Sequence, residues 1–115
     1  MVGTEEVGGL PCTVAGGRGV VIDTAQSITV PTGVQRPKKA GIMTCVISVE
    51  GTVTFRYTYS NTAPTAAVGL LGAAPTASAP ITITIRGEQL IAAFKIIGTA
   101  TGNTMSYDFF FGATA

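Results

Sequence analysis

The chain has 115 residues, of which 46% are hydrophobic and only 11% charged, and its formal net charge is +1. A charge so close to zero argues against electrostatic binding to nucleic acid or to an anionic membrane surface. The sequence contains no His, which excludes a Ser-His-Asp triad, a Cys-His pair and a mixed Cys/His zinc site. We therefore expect one domain with no catalytic residues, no cofactor and no metal site. Val, Ile and Thr fill 39 positions and favour β-strands.

Residues 1–19 contain six glycines and lack the basic and apolar regions of a secretory signal peptide. They predict an extended N-terminal arm, followed by a single domain over residues 20–115. A neighbouring subunit is the expected anchor for such an arm. The longest uncharged run, residues 57–85, contains three prolines, so we expect no membrane-spanning helix.

Strand signals begin at residues 20–22 and 27–30, two short runs rich in Val and Ile. Residues 36–39, Arg-Pro-Lys-Lys, form the cluster of positive charge, which is typical of a solvated loop or a protected sheet edge. Cys12 and Cys45 have no metal-binding spacing. We expect both to be reduced and to act as small hydrophobic residues, with a disulfide between them as the alternative.

Residues 42–49 and 52–59 predict a hairpin with Glu50-Gly51 as its turn. The first strand is apolar on both faces, which is typical of a strand in a buried sheet. In the second strand apolar and polar residues alternate, with Phe55 and Tyr57 on the inward face.

Residues 62–80 form a long connection without charge and without a predicted element. Connections of this length are uncommon in a compact domain unless they pack or function. Leaving its Val and Leu side chains in water is costly, so we expect this loop to pack against its own sheet or against a partner. It is the leading candidate for a contact surface.

Residues 81–85 predict another strand, with Gly87-Glu88 as a turn. Residues 91–97 and 104–111 then predict a second hairpin around residues 99–103, and no segment predicts a helix. Short strands with Gly and Pro between them predict an all-β fold, either an antiparallel β-sandwich or a jelly-roll-like barrel.

The candidate interface residues come from the arm, from the long loop and from the last strand, where Phe110 lies opposite its aromatic neighbours. They are Val7, Leu10, Pro64, Val68, Leu70, Leu71 and Phe110. The aromatic residues also allow a carbohydrate-binding module using Tyr57 and Tyr59 as an alternative. The sequence has no Trp and few amide side chains, so packing is the better interpretation of these rings. Glu50 and Glu88 fall in predicted turns, which is typical of solvated residues rather than of a glycosidase pair.

The second half of the chain has an ordered set of motifs. They are Phe55-Arg56-Tyr57, then Thr62-Ala63-Pro64-Thr65-Ala66-Ala67-Val68-Gly69, then Ile83-Thr84-Ile85-Arg86-Gly87-Glu88, then Ala93-Phe94-Lys95-Ile96-Ile97-Gly98, and finally Asn103-Thr104-Met105-Ser106-Tyr107-Asp108-Phe109-Phe110. Over residues 52–112 this order resembles small structural proteins of tailed-bacteriophage virions.

The resemblance implies a noncatalytic virion protein, most plausibly a capsid decoration or cement protein that stabilises the phage head lattice. A head-fibre base or a tail or neck adaptor is the alternative within the same class. The implied partners are the major capsid protein or other virion proteins together with further copies of the chain, a trimer being favoured, with neither nucleic acid nor membrane. The implied location is the virion, assembled in the host cytoplasm.

Overall fold

The computed structural model describes residues 10–11, 16–30, 42–76 and 78–111. Within them lie nine strands and one short helix. These are β1 (Leu10–Pro11), β2 (Gly17–Val21), β3 (Gln26–Ser27), β4 (Met43–Glu50), β5 (Phe55–Thr58), β6 (Leu70–Gly72), β7 (Ile81–Arg86), α1 (Glu88–Ala93), β8 (Lys95–Gly98) and β9 (Thr104–Phe111).

The strands form two antiparallel sheets that pack as a sandwich. One sheet has the order β2-β9-β4-β7, with β1 also paired to β9, and the other has the order β3-β8-β5-β6. The predicted all-β sandwich is thereby confirmed at the level of two packed antiparallel sheets. Among the described residues strand pairing begins at Leu10, within the segment predicted as an arm, while most of residues 1–19 lies outside them. The basic cluster at residues 36–39 and Cys12 lie outside them too.

The core lies between the two sheets and is built from the inward side chains of the long strands. β4 contributes Met43, Cys45, Ile47 and Val49, and β9 contributes Met105, Phe109 and Phe111. Phe55 and Ile96 face them from the other sheet. The two-residue period of a strand places these side chains on one face of β4 and of β9, and the packing of the two sheets makes that face the buried one.

Both predicted hairpins are wrong. β4 pairs with β7 and β9, whereas β5 pairs with β6 and β8, so residues 51–54 cross from one sheet to the other. Residues 99–103 make the same crossing between β8 and β9. Packed sheets lie only about 10 Å apart, so a short connection can cross between them as readily as it can turn back within one sheet.

Asn103 fixes the crossing between β4 and β5. Its side chain is fully buried, accepts a hydrogen bond from Val53 N at 3.2 Å and donates one to Val53 O at 2.6 Å. Gly51, with φ 132°, passes so close that a Cβ there would collide with the Asn103 amide. Nearby, Gly98 N donates to Ile22 O, which ties the β8–β9 crossing to the residue after β2. The two crossings thus meet at one end of the sandwich.

The helix α1 replaces the start of a predicted strand, and the absence of a helix was a wrong prediction. Gly87, with φ 104°, ends β7, and Glu88–Ala93 then turn helically and bury Ile91. A helix of six residues is too short to be stable alone. Burial of Ile91 in the core supplies the stability that no local pattern could reveal.

Candidate functional site

The described residues offer little material for catalysis or metal binding. No group of three or more Cys, Asp or Glu side chains is close enough there to hold a metal ion. Asp108 pairs with Arg18 at 2.8 Å on a largely exposed surface, and Asp23 accepts a hydrogen bond from Gly102 N at 3.2 Å. Glu50 is exposed at the end of β4. These carboxylates lie in separate contacts rather than in one cleft.

The most distinctive surface is apolar and lies along β6, a terminal strand of its sheet. Val68, Leu70 and Leu71 are 65%, 54% and 59% exposed, respectively. We call these three residues the β6 edge. Scattered exposed apolar residues are ordinary, whereas three within four positions are a local concentration of apolar surface. The loop that was the leading contact candidate therefore presents bare apolar side chains.

The loop that leads into the β6 edge is held by hydrogen bonds rather than left free. Arg56 Nε donates to Ala66 O at 3.3 Å, and Arg56 Nη1 donates to Gly69 O at 2.8 Å. Thr65 and Val68 exchange two backbone hydrogen bonds of 3.0 and 3.3 Å. Since these bonds fix the backbone in advance, docking at this surface costs less conformational entropy.

The Arg56 guanidinium should control the order of this loop. We expect Arg56→Ala to lose both carbonyl contacts, to lower the free energy of unfolding by about 1 kcal/mol and to speed elastase cleavage after Ala66 or Ala67 roughly tenfold. Timed digestion under native conditions measures the effect. Arg18→Ala is the matched control, because Arg18 bonds Tyr107 O and Asp108, on the other sheet. Equal cleavage of both variants would contradict the assigned tether.

A second apolar surface lies around α1. A groove of about 590 Å³ is lined by residues that include Ile42, Arg86 and Leu90, and a smaller one of about 360 Å³ shares Arg86 and Leu90 and adds Tyr59. Ile42 and Leu90 are about half exposed. Neither residue was predicted as a surface position, because Ile42 was placed in the buried strand over residues 42–49 and Leu90 fell between a predicted turn and the predicted strand over residues 91–97. In a helix the neighbouring Leu90 and Ile91 point to different sides, and a helical pattern here is the one signal that could have marked Leu90 as exposed.

The other candidate interface residues have different environments. Pro64 is buried within the loop, and Phe110 is only 8% exposed, so neither presents a bare contact surface in this chain. The backbone of Leu10 pairs with Phe111 in β1, and its side chain is not among the described ones. Val7 lies outside the described residues. The structure therefore brings together Val68, Leu70 and Leu71 and separates them from Phe110.

The aromatic residues form a packed cluster. Tyr57 lies against Phe55 and Phe94, with ring centroids 5.9 and 6.1 Å apart, and Tyr59 lies 5.6 Å from Phe94. Burial, and to a smaller extent the neighbouring Tyr57, raises the pKa of the Tyr59 phenol. Tyr59 keeps one partly exposed face, whereas Tyr57 is half-buried. The rings are mainly structural, as the composition indicated.

Cys45 is a free thiol in the core between the two sheets. Burial, and to a smaller extent the charge of Asp108, raises its pKa to about 12. The thiolate is the reactive form of cysteine, so a thiol held protonated in this way is chemically inert. Cys45 is therefore a packing residue rather than a nucleophile.

In a Cys12→Ser variant, Cys45 should react with a thiol reagent only after unfolding. At pH 8 we expect native reactivity to be roughly 1,000-fold below that of an exposed cysteine, because the pKa shift reduces the thiolate by about that factor. Below pH 9 both states keep the proton and the thiol adds no pH dependence. Between pH 9 and 12 the unfolded thiol ionises while the native one does not, so stability falls as pH rises. Adding Cys45→Ala should remove this loss of stability between pH 9 and 12. A fast reaction of Cys45 in the native state would contradict its assignment as a buried, protonated thiol.

No helix within the described part of the chain is long and apolar enough to cross a membrane. Comparison with known proteins yields no matching family model, no matching curated protein and no matching solved structure.

Proposed function

We propose that the chain is a noncatalytic virion structural protein, a capsid decoration or cement protein that self-associates and stabilises the phage head lattice. The observation that carries the proposal is the β6 edge, a preordered apolar surface on a domain whose described residues contain no group of three or more Cys, Asp or Glu side chains that could hold a metal ion. The motif order over residues 52–112 supplies the virion context. A head-fibre base or a tail or neck adaptor is the alternative location within the same class.

The finer assignment of the fold is a jelly roll with a glycine-rich N-terminal arm. Support comes from nested antiparallel pairs, in which β2 pairs with β9, β3 with β8, β4 with β7 and β5 with β6. This is the arrangement of one long hairpin rolled up, and the further pairs β4–β9 and β5–β8 close the roll. Eight-stranded rolls of two Greek keys are frequent in viral capsid domains. The extra strand β1 on β9 is consistent with an arm that adds to a sheet.

The carbohydrate-binding alternative retains one favourable observation. Jelly rolls also occur in lectins, and Tyr59 presents a partly exposed ring beside a groove. Tyr57 is enclosed by other rings, so the proposed pair of stacking residues is reduced to Tyr59 alone. Glycan-array binding that disappears in Tyr59→Ala would favour this function over the virion role.

The direct test of the virion role is cosedimentation of the purified chain with phage heads that lack it. We expect saturable binding at a fixed ratio of chain to capsid subunit and increased resistance of the decorated heads to heat. In control runs without heads the chain should stay in the supernatant, and heads that already carry the protein should bind no further chain. A chain that ignores heads at every concentration would overturn the proposal.

A further inference from the structure

Leu70 is a core-facing residue that the described chain leaves uncovered. It pairs in register with Tyr57, which packs against the core, and residues directly opposite each other in a sheet share a face. A side chain on that face should be buried, yet more than half of Leu70 is exposed. The sandwich is therefore open at this position.

The opening lies along one side of the sandwich. The short crossings stack β4 over β5 and β9 over β8, which places β7 and β6 as terminal strands on the same side. On β7, the inward-facing Ile81 and Ile83 are also only partly buried. Apolar side chains from both sheets thus reach the surface at the same side.

As an edge strand β6 is protected by its shortness, at three residues, but it carries no Lys, Pro or charge. Edge strands are commonly protected by Lys, Pro or an inward charge. The sequence of β6 is Leu-Leu-Gly, and β5 is its one neighbour among the described strands. The β7 edge, in contrast, follows Pro80 and carries Arg86. The outer main-chain groups of β6 have no strand partner among the described residues, so this edge offers a template for a further β-strand.

We propose that this strand is β6 of a second copy, so that two copies pair their β6 edges antiparallel about a two-fold axis. Residues 57–85 carry no charge, and Arg56, which lies opposite Leu71 on β5, donates to the carbonyl oxygens of Ala66 and Gly69 in its own chain. The β6 edge itself therefore brings no charge to a contact between two copies. A two-fold contact uses the same patch on both copies, which an antiparallel strand pair satisfies. Leu70 would then be covered at the open side, with Leu71 and Val68 packed across the axis.

This contact rests on the proposed function only in so far as that function includes self-association, and it assigns the self-association to the β6 edge. It also changes the expected symmetry. A two-fold contact produces dimers or assemblies that contain two-fold axes, instead of the trimer that the resemblance implied.

Sedimentation equilibrium of the full chain over a range of concentrations tests the proposal. The unmodified chain should form a dimer, and Leu71→Lys should raise the dissociation constant at least about tenfold by placing a charge at the axis. Leu90→Lys is the matched control, because it puts the same charge on an exposed leucine of α1 and should leave the dimer intact. Circular dichroism checks that both variants fold. A monomeric unmodified chain, or equal dimers in Leu71→Lys, would overturn the inference.

Crosslinking locates the contact independently of any loss of folding. In the Cys12→Ser background, Leu71→Cys should form an intermolecular disulfide on mild oxidation and Leu90→Cys should not. The reverse pattern would place the interface at α1 and overturn the inference.

The binding assay with heads separates this inference from the proposed function. A dimer that fails to bind heads contradicts the virion role and leaves the β6 contact standing. A monomer that binds heads contradicts the β6 contact and leaves the virion role standing.

Discussion

Replacing Asn103 by Ala should lower the free energy of unfolding by about 3 kcal/mol. The side chain satisfies both the N–H and the C=O of Val53 at the point where the chain crosses between sheets, and it is fully buried. Ala would leave both backbone groups without these partners, in a region that is only partly open to water. Urea denaturation followed by circular dichroism measures the loss.

Asn103→Asp distinguishes the hydrogen bonds from simple packing. The shape is nearly unchanged, but an ionised carboxylate cannot donate to Val53 O. Burial should raise the pKa of the new carboxyl, so the native state binds a proton more readily than the unfolded state and the destabilisation should shrink as pH falls through that pKa. The control is Asn61→Gly, which replaces an exposed residue at φ 65° and should change stability by less than about 0.5 kcal/mol. An Asn103→Ala variant with unchanged stability would refute the role assigned to this amide.

Replacing Phe94 by Ala should destabilise the fold by about 4 kcal/mol, because it leaves a cavity in the core. The ring is fully buried, and it packs against Tyr57 and Tyr59 where α1 passes into β8. Loss of the ring should also loosen α1, which is too short to persist without tertiary contacts. Denaturant unfolding gives the first quantity, and hydrogen exchange of the α1 amides gives the second.

Phe94→Leu serves as the comparison, since it keeps most of the apolar volume and should cost about 1 kcal/mol. Similar losses for Leu and Ala would show that the aromatic contacts with Tyr57 and Tyr59, rather than volume, carry the stability. Undiminished protection of α1 in Phe94→Ala would contradict its dependence on this ring.

The buried face of a single strand could be predicted from the sequence where apolar and polar residues alternate along it. In β5 the alternation placed Phe55 on the inward face, and Phe55 is buried. Residues 62–80 were identified as the leading contact candidate for a different reason, because the apolar side chains of a long uncharged loop are costly to leave in water without a sheet or partner to cover them. Val68, Leu70 and Leu71 within it are indeed exposed.

Pairing could not be predicted in the same way. Glu50-Gly51 has the composition of a hairpin turn, but Gly51 here makes room for Asn103 at a crossing between sheets. The residues that select the crossing lie some fifty positions away, so no local window contains the competing interaction. Pro64 and Phe110 were likewise proposed as contact residues from their places in the loop and in the last strand. Both are buried, and their burial depends on residues far away in the sequence.

By itself, then, the sequence determined the strand-rich class, which side chains of a strand share a face, and the uncharged stretch that carries the β6 edge. Each is a property of neighbouring side chains, and the hydrophobic effect acts on them through the two-residue period of a strand. Only the tertiary structure decided which strands pair, that residues 88–93 form a helix, and that Leu70 faces the core side yet remains exposed. These outcomes depend on long-range contacts, because backbone pairing is chemically the same for any two strands and the choice among partners is made by the packing of the whole domain.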